Sequence, residues 1–444
     1  MENKQSYGLF TTITMIVGIV IGSGIYFRAD DIFIYANGNL ALGLMVLTLG
    51  ALSIVFGSLT LAELSKRHVS KGGLVAYFEY FVSEKMASGF GWFQLFVYLP
   101  TISIVVGWAT AIYTFMLLEV ESTLLMQVGL GLVYNLFFVV INTLSKKLGG
   151  FIQRFATIIK LTPLILIAFY GIFITSPLDA SLLSNSTFVV EFSKYGWLTA
   201  LVPLAYSYDG WTVALTIAPE VVNQKKNMTK ALILSPLIIL FVYIVYIYGI
   251  ANILGVQQII NLGDSSVFEA GKIILGEKLG NIMLVVVVVS MLGVLNGLNL
   301  GSIRLPQALA VKKMIPDYGL SMINQKRQLS IKSAYMVAIL QIFWAIVHFV
   351  VMSLNLFNGR DVSEIAIVFS YVSYIILYIL VFKLLKDEGK TFKLIVPILA
   401  ILGSMIILLG SLLASFYYIL MFIFFCSSVM YLGYIYKSRQ ISKI

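Results

Sequence analysis

Twelve runs of about twenty apolar residues divide this chain, and each can cross a bilayer core about 30 Å thick as a helix rising about 1.5 Å per residue. They lie at roughly Tyr7 to Phe27, Leu40 to Leu64, Phe90 to Leu118, Leu124 to Leu144, Phe151 to Ile174, Trp197 to Pro219, Ala231 to Leu254, Leu279 to Val311, Tyr335 to Leu354, Ile365 to Leu385, Leu394 to Leu413 and Phe416 to Tyr436. These are called spans 1 to 12. Lipid offers no hydrogen bonds, so runs of this length must pair their backbone within helices. The expected fold is therefore an all-α polytopic membrane protein with 12 transmembrane helices. Composition agrees: of 444 residues 60% are hydrophobic and 11% charged, with mean hydropathy +0.97, where a soluble domain carries about 25% charge. The first run is long, lacks a small-residue cleavage site and leads straight into further spans, which reads as a retained span rather than a secretion signal.

Basic residues resist translocation and mark the cytoplasmic side. Lys66, Arg67 and Lys71, Lys146 and Lys147, Lys225, Lys226 and Lys230, Lys312, Lys313, Lys326 and Arg327, Lys383 to Lys393, and the tail Lys437, Arg439 and Lys443 fall in alternate loops. The opposite loops carry Asp30, Asp31, Glu119, Glu121, Asp179, Glu191, Asp264 and Glu269. Both termini are thus expected in the cytoplasm, with the protein in the cell (plasma) membrane. The net charge of +10 follows from this topology and calls for no nucleic acid, though it favours a weak attraction to anionic lipid. The single cysteine, Cys426, can build neither a disulfide framework nor a thiolate site. His68 and His348 are far apart in sequence and read as incidental. No cofactor and no metal is expected.

Two spans are interrupted where a helix should be continuous. Span 1 carries Gly22-Ser23-Gly24 at its middle, and glycine costs a helix interior about 0.5 to 1 kcal/mol against alanine. Span 6 carries Ser207, Asp209 and Gly210 at its middle, and an aspartate at that depth costs at least about 2.5 kcal/mol on insertion scales. Spans 1 and 6 are the first members of two five-span halves, and because five is odd the second half enters the membrane inverted. Matching breaks in inverted halves point to a transporter site at the bilayer midplane, where unwound backbone survives only if it lines a cavity. The corresponding division is 1–176 for the first repeat, 177–390 for the second, inverted repeat, and 391–444 for spans 11 and 12 with the tail. Where a helix restarts, free N–H groups suit a carboxylate; where one stops, free carbonyls suit an ammonium. An amino acid carries both.

The stretches GIVIGSGIYF in span 1, AELSKRHVSKGGLVAYFEYF after span 2, ATIIKLTP in span 5, AYSYDGWTVALTIAPEVVNQKKNMTKAL through span 6 and GVLNGLNLGSIRLPQALAVKKMIP in span 8 resemble the amino acid/polyamine/organocation superfamily. The similarity is greatest to its bacterial L-type amino-acid transporter branch, which includes serine/threonine and alanine/serine/cysteine exchangers. The resemblance implies a substrate carboxylate held by backbone N–H groups of Ser23 and Gly24 beside Gly22, and an amine held by carbonyls of Val20, Tyr206 and Asp209 near Ser207 and Gly210. It implies that Tyr206 stands at an aromatic gate that is often Phe, that Ile102 and Thr212 face the substrate side chain, and that Tyr243 supports the unwound backbone. It also implies that Lys160 projects where coupled relatives hold sodium, so that no sodium gradient is needed. Eukaryotic members join a heavy chain through a cysteine between spans 3 and 4; LEVEST has none, so no disulfide-linked heavy chain is expected, and the state is monomer or homodimer.

Simpler readings stand beside these. Small residues such as Gly-Ser-Gly also permit tight helix packing. Asp209 reads first as a cap on half-helix N–H groups. Lys160 could snorkel, and Arg304 could snorkel or pair with Glu220. Trp92 and Trp197 read as interfacial belt residues, and Asn185-Ser186-Thr187 as a bare sequon. A membrane enzyme would need a nucleophile with a base, a metal cluster or paired carboxylates, and the spans carry neither H-E-x-x-H nor two close aspartates. The expected function is sodium-independent exchange of small neutral L-amino acids by alternating access; the alternatives are proton-coupled uptake and a non-transporting sensor on the same fold.

Overall fold

The computed structural model describes residues 7–27, 29–68, 72–144, 146–173, 195–213, 215, 218, 221–324, 327, 329–357 and 359–442. Among them the chain is helical apart from turns, caps and two isolated β-bridges, Tyr7 with Val221 and Asn324 with Leu329. Among the described residues nine helices are long and apolar enough to cross a membrane: Leu40–Arg67, Glu84–Leu117, Leu124–Leu144, Gln224–Leu254, Gly280–Val311, Ile331–Ser353, Ser363–Asp387, Thr391–Ala414 and Phe416–Ile441. They are spans 2 to 4 and 7 to 12. Of the other three expected spans, spans 1 and 6 hold the shorter apolar helices Leu9–Val20 and Trp197–Ser207, and span 5 lies in the helix Lys146–Phe173.

The shortening of spans 1 and 6 has a local cause in the interruptions. Span 1 stops at Val20 and restarts as Ser23–Phe27. Span 6, expected to run to Pro219, leaves the helix at Ser207 and turns through Tyr208 to Thr212, after which the described residues Val213, Leu215 and Ala218 have 3-10 geometry. Span 3 begins earlier than its hydropathy indicated, because Ser83 caps Glu84–Phe93 by accepting from the Met86 N–H at 3.2 Å. It then widens into a π-helical turn at Gln94–Tyr98 before resuming as Leu99–Leu117.

Burial separates an inner set of helices from an outer one. The protein covers 83% of the apolar window of span 3 and 67% of those of spans 8 and 10, against 22% for spans 11 and 12. Span 2 packs on span 7, span 3 on span 8, span 4 on span 9, and span 5 on spans 7 and 8. Spans 11 and 12 lie against span 2 and the start of span 3. Spans 3 and 4 approach at Gly107 and Gly131, where a Cβ on Gly131 would sit 2.6 Å from the Gly107 carbonyl carbon. The division expected between 176 and 177 falls outside the described residues, as does the sequon at 185–187.

Charged residues tie several helix ends together on one side. Arg67 closing span 2 pairs with Glu388 after span 10 at 2.9 Å, Lys437 of span 12 with Glu84 at 3.0 Å, and Lys312 after span 8 with Glu79. In the interior a ladder of neutral amides joins spans 3, 4, 8 and 9. Asn299 donates to Asn135 Oδ1 at 3.1 Å, Gln341 to Asn299 Oδ1 at 2.7 Å, and Asn135 to the Ser103 carbonyl at 2.9 Å. All three amides are fully buried. His348, read as incidental, is buried with its ring edge-on to Trp108 at 4.9 Å.

Candidate functional site

The two interruptions meet at the centre of the bundle. Ser207 Oγ donates to the Gly24 carbonyl at 2.9 Å, and a Cβ on Gly24 would collide with Ser207 Cα. Only glycine lets the restarted half of span 1 approach the end of the span 6 helix this closely. Gly210, with φ +92°, turns the chain after the second break and lies against Ile19 at the end of the first half-helix.

A helix that stops in a membrane leaves carbonyls without partners, each costing several kcal/mol unless something reaches them. Side chains from neighbouring spans do so here. Lys160 Nζ, fully buried, donates to the Gly18 carbonyl and, at 3.1 Å, to that of Ile21. Tyr243 OH lies 2.8 Å from the Ser207 carbonyl and 3.3 Å from that of Val20. A hydroxyl has one proton to give, so Tyr243 favours span 6 while staying within reach of span 1. Tyr26, on the restarted half of span 1, donates to the Lys160 carbonyl at 3.1 Å. The neighbours thus hold the breaks open as a defined structure.

Between the breaks lies a small cavity lined by Ile19, Val20, Gly22, Gly24, Ile102, Val106, Tyr206, Asp209, Gly210, Val294 and Leu298. It brings together Val20, Gly22, Gly24, Ile102, Tyr206, Asp209 and Gly210 of the residues singled out in the sequence. Ser207 stands behind this lining, held by Gly24 and Tyr243. Thr212 stands apart: its hydroxyl is 3.3 Å from Tyr374 OH, and it borders a neighbouring cavity with Gln94, Leu99 and Gly301. Ser23 opens the helix Ser23–Phe27. The pairing of Arg304 with Glu220 lies outside the described residues.

The environment of Asp209 depends on a residue the sequence did not single out. Tyr98, at the end of the π-helical turn, donates to Asp209 Oδ2 at 2.8 Å. A tyrosine inside an apolar run carries no periodic signal; the only clue was a polar handle among buried aromatics, which needs a partner. Val106, Val294 and Leu298 were missed similarly, since ordinary apolar residues on continuous helices reveal their cavity only once the helices are placed. Among the described residues no group of His, Cys, Asp or Glu is arranged to hold a metal ion.

A carbonyl cluster, a restarted helix and a narrow apolar cavity at mid-membrane suit the capture of a small zwitterion. Comparison with known proteins gives the same direction, since the amino acid permease model matches residues 7–436. The chain belongs to the amino acid permease family. This permease is 28% identical over 420 residues to the serine/threonine exchanger SteT of Bacillus subtilis, covering 93% of this chain and 92% of that protein. It is 25% identical to the b(0,+)-type amino acid transporter 1 of Oryctolagus cuniculus over 54% of this chain and 50% of that one. The human cystine/glutamate transporter is 25% identical over 55% and 49%. The permease is a multi-pass membrane transporter and not an enzyme.

Proposed function

We propose that this permease exchanges small neutral L-amino acids of the serine, threonine and alanine type, without sodium, by alternating access in the plasma membrane with both termini cytoplasmic. The carboxylate sits on the N–H groups of Ser23 and Gly24, and the amine on the carbonyls of Val20, Tyr206 and Asp209. The observation that carries the substrate class is the cavity lining, apolar except for Tyr206 and Asp209. The Asp209 carboxylate already accepts from Tyr98. A second full charge on the substrate would be buried without a ready partner, at a cost well above that of a neutral side chain. Similarity to a serine/threonine exchanger over 93% of the chain supports the same class.

Sodium independence is supported by Lys160, whose ammonium meets the carbonyls of Gly18 and Ile21, where a cation would otherwise serve. The same geometry favours one second reading. Because both of these Lys160 acceptors are neutral backbone groups, the amine could carry the proton of a proton-coupled importer. Counterflow into proteoliposomes separates the two. Exchange predicts uptake of labelled serine only when serine, threonine or alanine is inside, equal in sodium and choline and indifferent to a pH gradient. Net uptake into empty vesicles driven by a proton gradient would replace exchange with symport, and preference for lysine or glutamate would overturn the substrate class.

A further inference from the structure

Apart from the central cavity, a larger one of about 520 Å³ opens at the basic end of spans 3 and 9. Its walls are Trp92 and Phe96 of span 3, Ile315 of the turn after span 8, and Tyr335, Ile339 and Leu340 of span 9, with Lys332 at its rim. We propose that this groove is a binding site for an anionic phospholipid, its acyl chain in the groove and its headgroup at Lys332.

Four observations select that occupant. Its outer wall continues the membrane-facing stripe of span 9, since Tyr335 and Ile339 are exposed in line with Ile342, Phe343, Ile346 and Val350. That spacing is one helical face, so the mouth opens towards lipid tails. The lining is almost wholly apolar, and from Lys332 to Leu340 the wall rises about 12 Å at about 1.5 Å per residue, which suits the upper part of an acyl chain lying along the helix. The floor is fixed: Trp92 Nε1 donates to the Met314 carbonyl at 2.9 Å and Trp344 Nε1 to that of Phe96 at 2.7 Å. Phe96 is on the π-helical turn, a register change that sets side-chain directions differently from a continuous α-helix.

The fourth observation concerns charge. Lys332 donates to the Tyr318 carbonyl at 2.7 Å, and among the described residues no carboxylate lies within ion-pairing distance of it, leaving ammonium protons for a phosphate. Lys313 lies two residues before Ile315, and exposed Tyr318, Met322 and Ile323 place the intervening loop at the interfacial level. The nearby acid, Asp317, accepts the N–H and O–H of Ser321, both at 2.7 Å, and so is turned into its own loop. Basic pockets between membrane helices on the cytoplasmic side are suited to anionic headgroups.

The test uses the full-length permease, purified in mild detergent and stripped of lipid, with phosphatidylglycerol or phosphatidylcholine added and retained lipid counted by native mass spectrometry. One phosphatidylglycerol per chain should be retained, about fivefold over phosphatidylcholine. Ile339→Trp, which fills the groove from a membrane-exposed position, should remove it. Lys332→Gln should keep one lipid but abolish the preference. Thermal melting of both variants within a few degrees of the parent shows that they are folded. Equal retention of the two lipids by the parent protein, or undiminished phosphatidylglycerol on folded Ile339→Trp, overturns the proposal.

Discussion

Two polar regions lie buried among these membrane helices, and they are built from opposite materials. At the breaks of spans 1 and 6 the polar groups are backbone carbonyls, met by Lys160, Tyr243 and Ser207. In spans 4, 8 and 9 the backbone is continuous, and the polar groups are the side-chain amides of Asn135, Asn299 and Gln341, which meet one another. An amide donates and accepts, so these side chains serve one another, with Gln341 Oε1 left as a buried acceptor at the end of the ladder. A lysine only donates, so at the breaks Lys160 can serve backbone carbonyls but cannot accept from an N–H. On the function proposed above a ligand completes the first region, whereas the second joins continuous helices to each other.

The largest effect that would break this comparison falls on Lys160. Lys160→Ala leaves the buried Gly18 and Ile21 carbonyls without their donor, and unsatisfied groups in hydrocarbon cost several kcal/mol. Uptake should fall more than about tenfold, since about 1.4 kcal/mol already corresponds to tenfold, with normal membrane insertion and the same loss in sodium and choline buffers. Full activity of this variant, or strict dependence on sodium, would remove Lys160 from the mechanism.

Next comes the crossing of the two breaks. Gly24→Ala places a methyl against Ser207 Cα, backbone against backbone, with no flexible side chain to yield. Substrate binding measured by scintillation proximity should fall about tenfold, because over-packing costs about 1 to 3 kcal/mol. Gly8→Ala at the start of span 1, where a Cβ meets nothing within 4 Å, is the control and should bind normally. Equal behaviour of the two variants would mean that the crossing does not shape the site.

A milder effect is expected at Tyr206, which is 7% exposed and lines the central cavity. If its ring closes the site against water, Tyr206→Ala should impair exchange several-fold more than it lowers expression, while Tyr206→Phe keeps the ring and stays close to the parent protein. An alanine variant exchanging at the parental rate would place the gate elsewhere.

The contrast between the regions also explains what could be read from the sequence. A break at mid-membrane violates helix propensity and insertion cost together, so Gly22-Ser23-Gly24 and Ser207-Tyr208-Asp209-Gly210 stood out of otherwise uniform runs. Their neighbours did not. Lys160 and Tyr243 came from resemblance, because a lysine near a span end and a tyrosine in an apolar run have ordinary explanations. Tyr98 and the amide ladder went unread: Asn135, Asn299 and Gln341 are single polar residues on different helices, and their meeting is a fact of helix register that periodicity does not encode. The π-helical turn at Gln94–Tyr98 leaves no mark on hydropathy at all.

The smallest effect on transport should come from the amide ladder, and it sharpens the comparison most. Asn299→Leu removes the donor to Asn135 Oδ1 and the acceptor of Gln341 Nε2, whose other acceptor within reach is Asn135 Oδ1 at 3.5 Å. Hydrogen bonds between membrane helices are worth about 0.6 to 2 kcal/mol, so thermal melting in detergent should drop by a few degrees, while exchange stays within about twofold because no ladder residue lines the central cavity. Removing both partners of a buried hydrogen bond costs less than orphaning one. The double variant Asn299→Leu, Gln341→Leu should therefore recover part of the lost stability. If instead the single variant abolishes exchange at unchanged melting temperature, the ladder is part of the transport machinery, and the division between a transport region and a scaffold region fails.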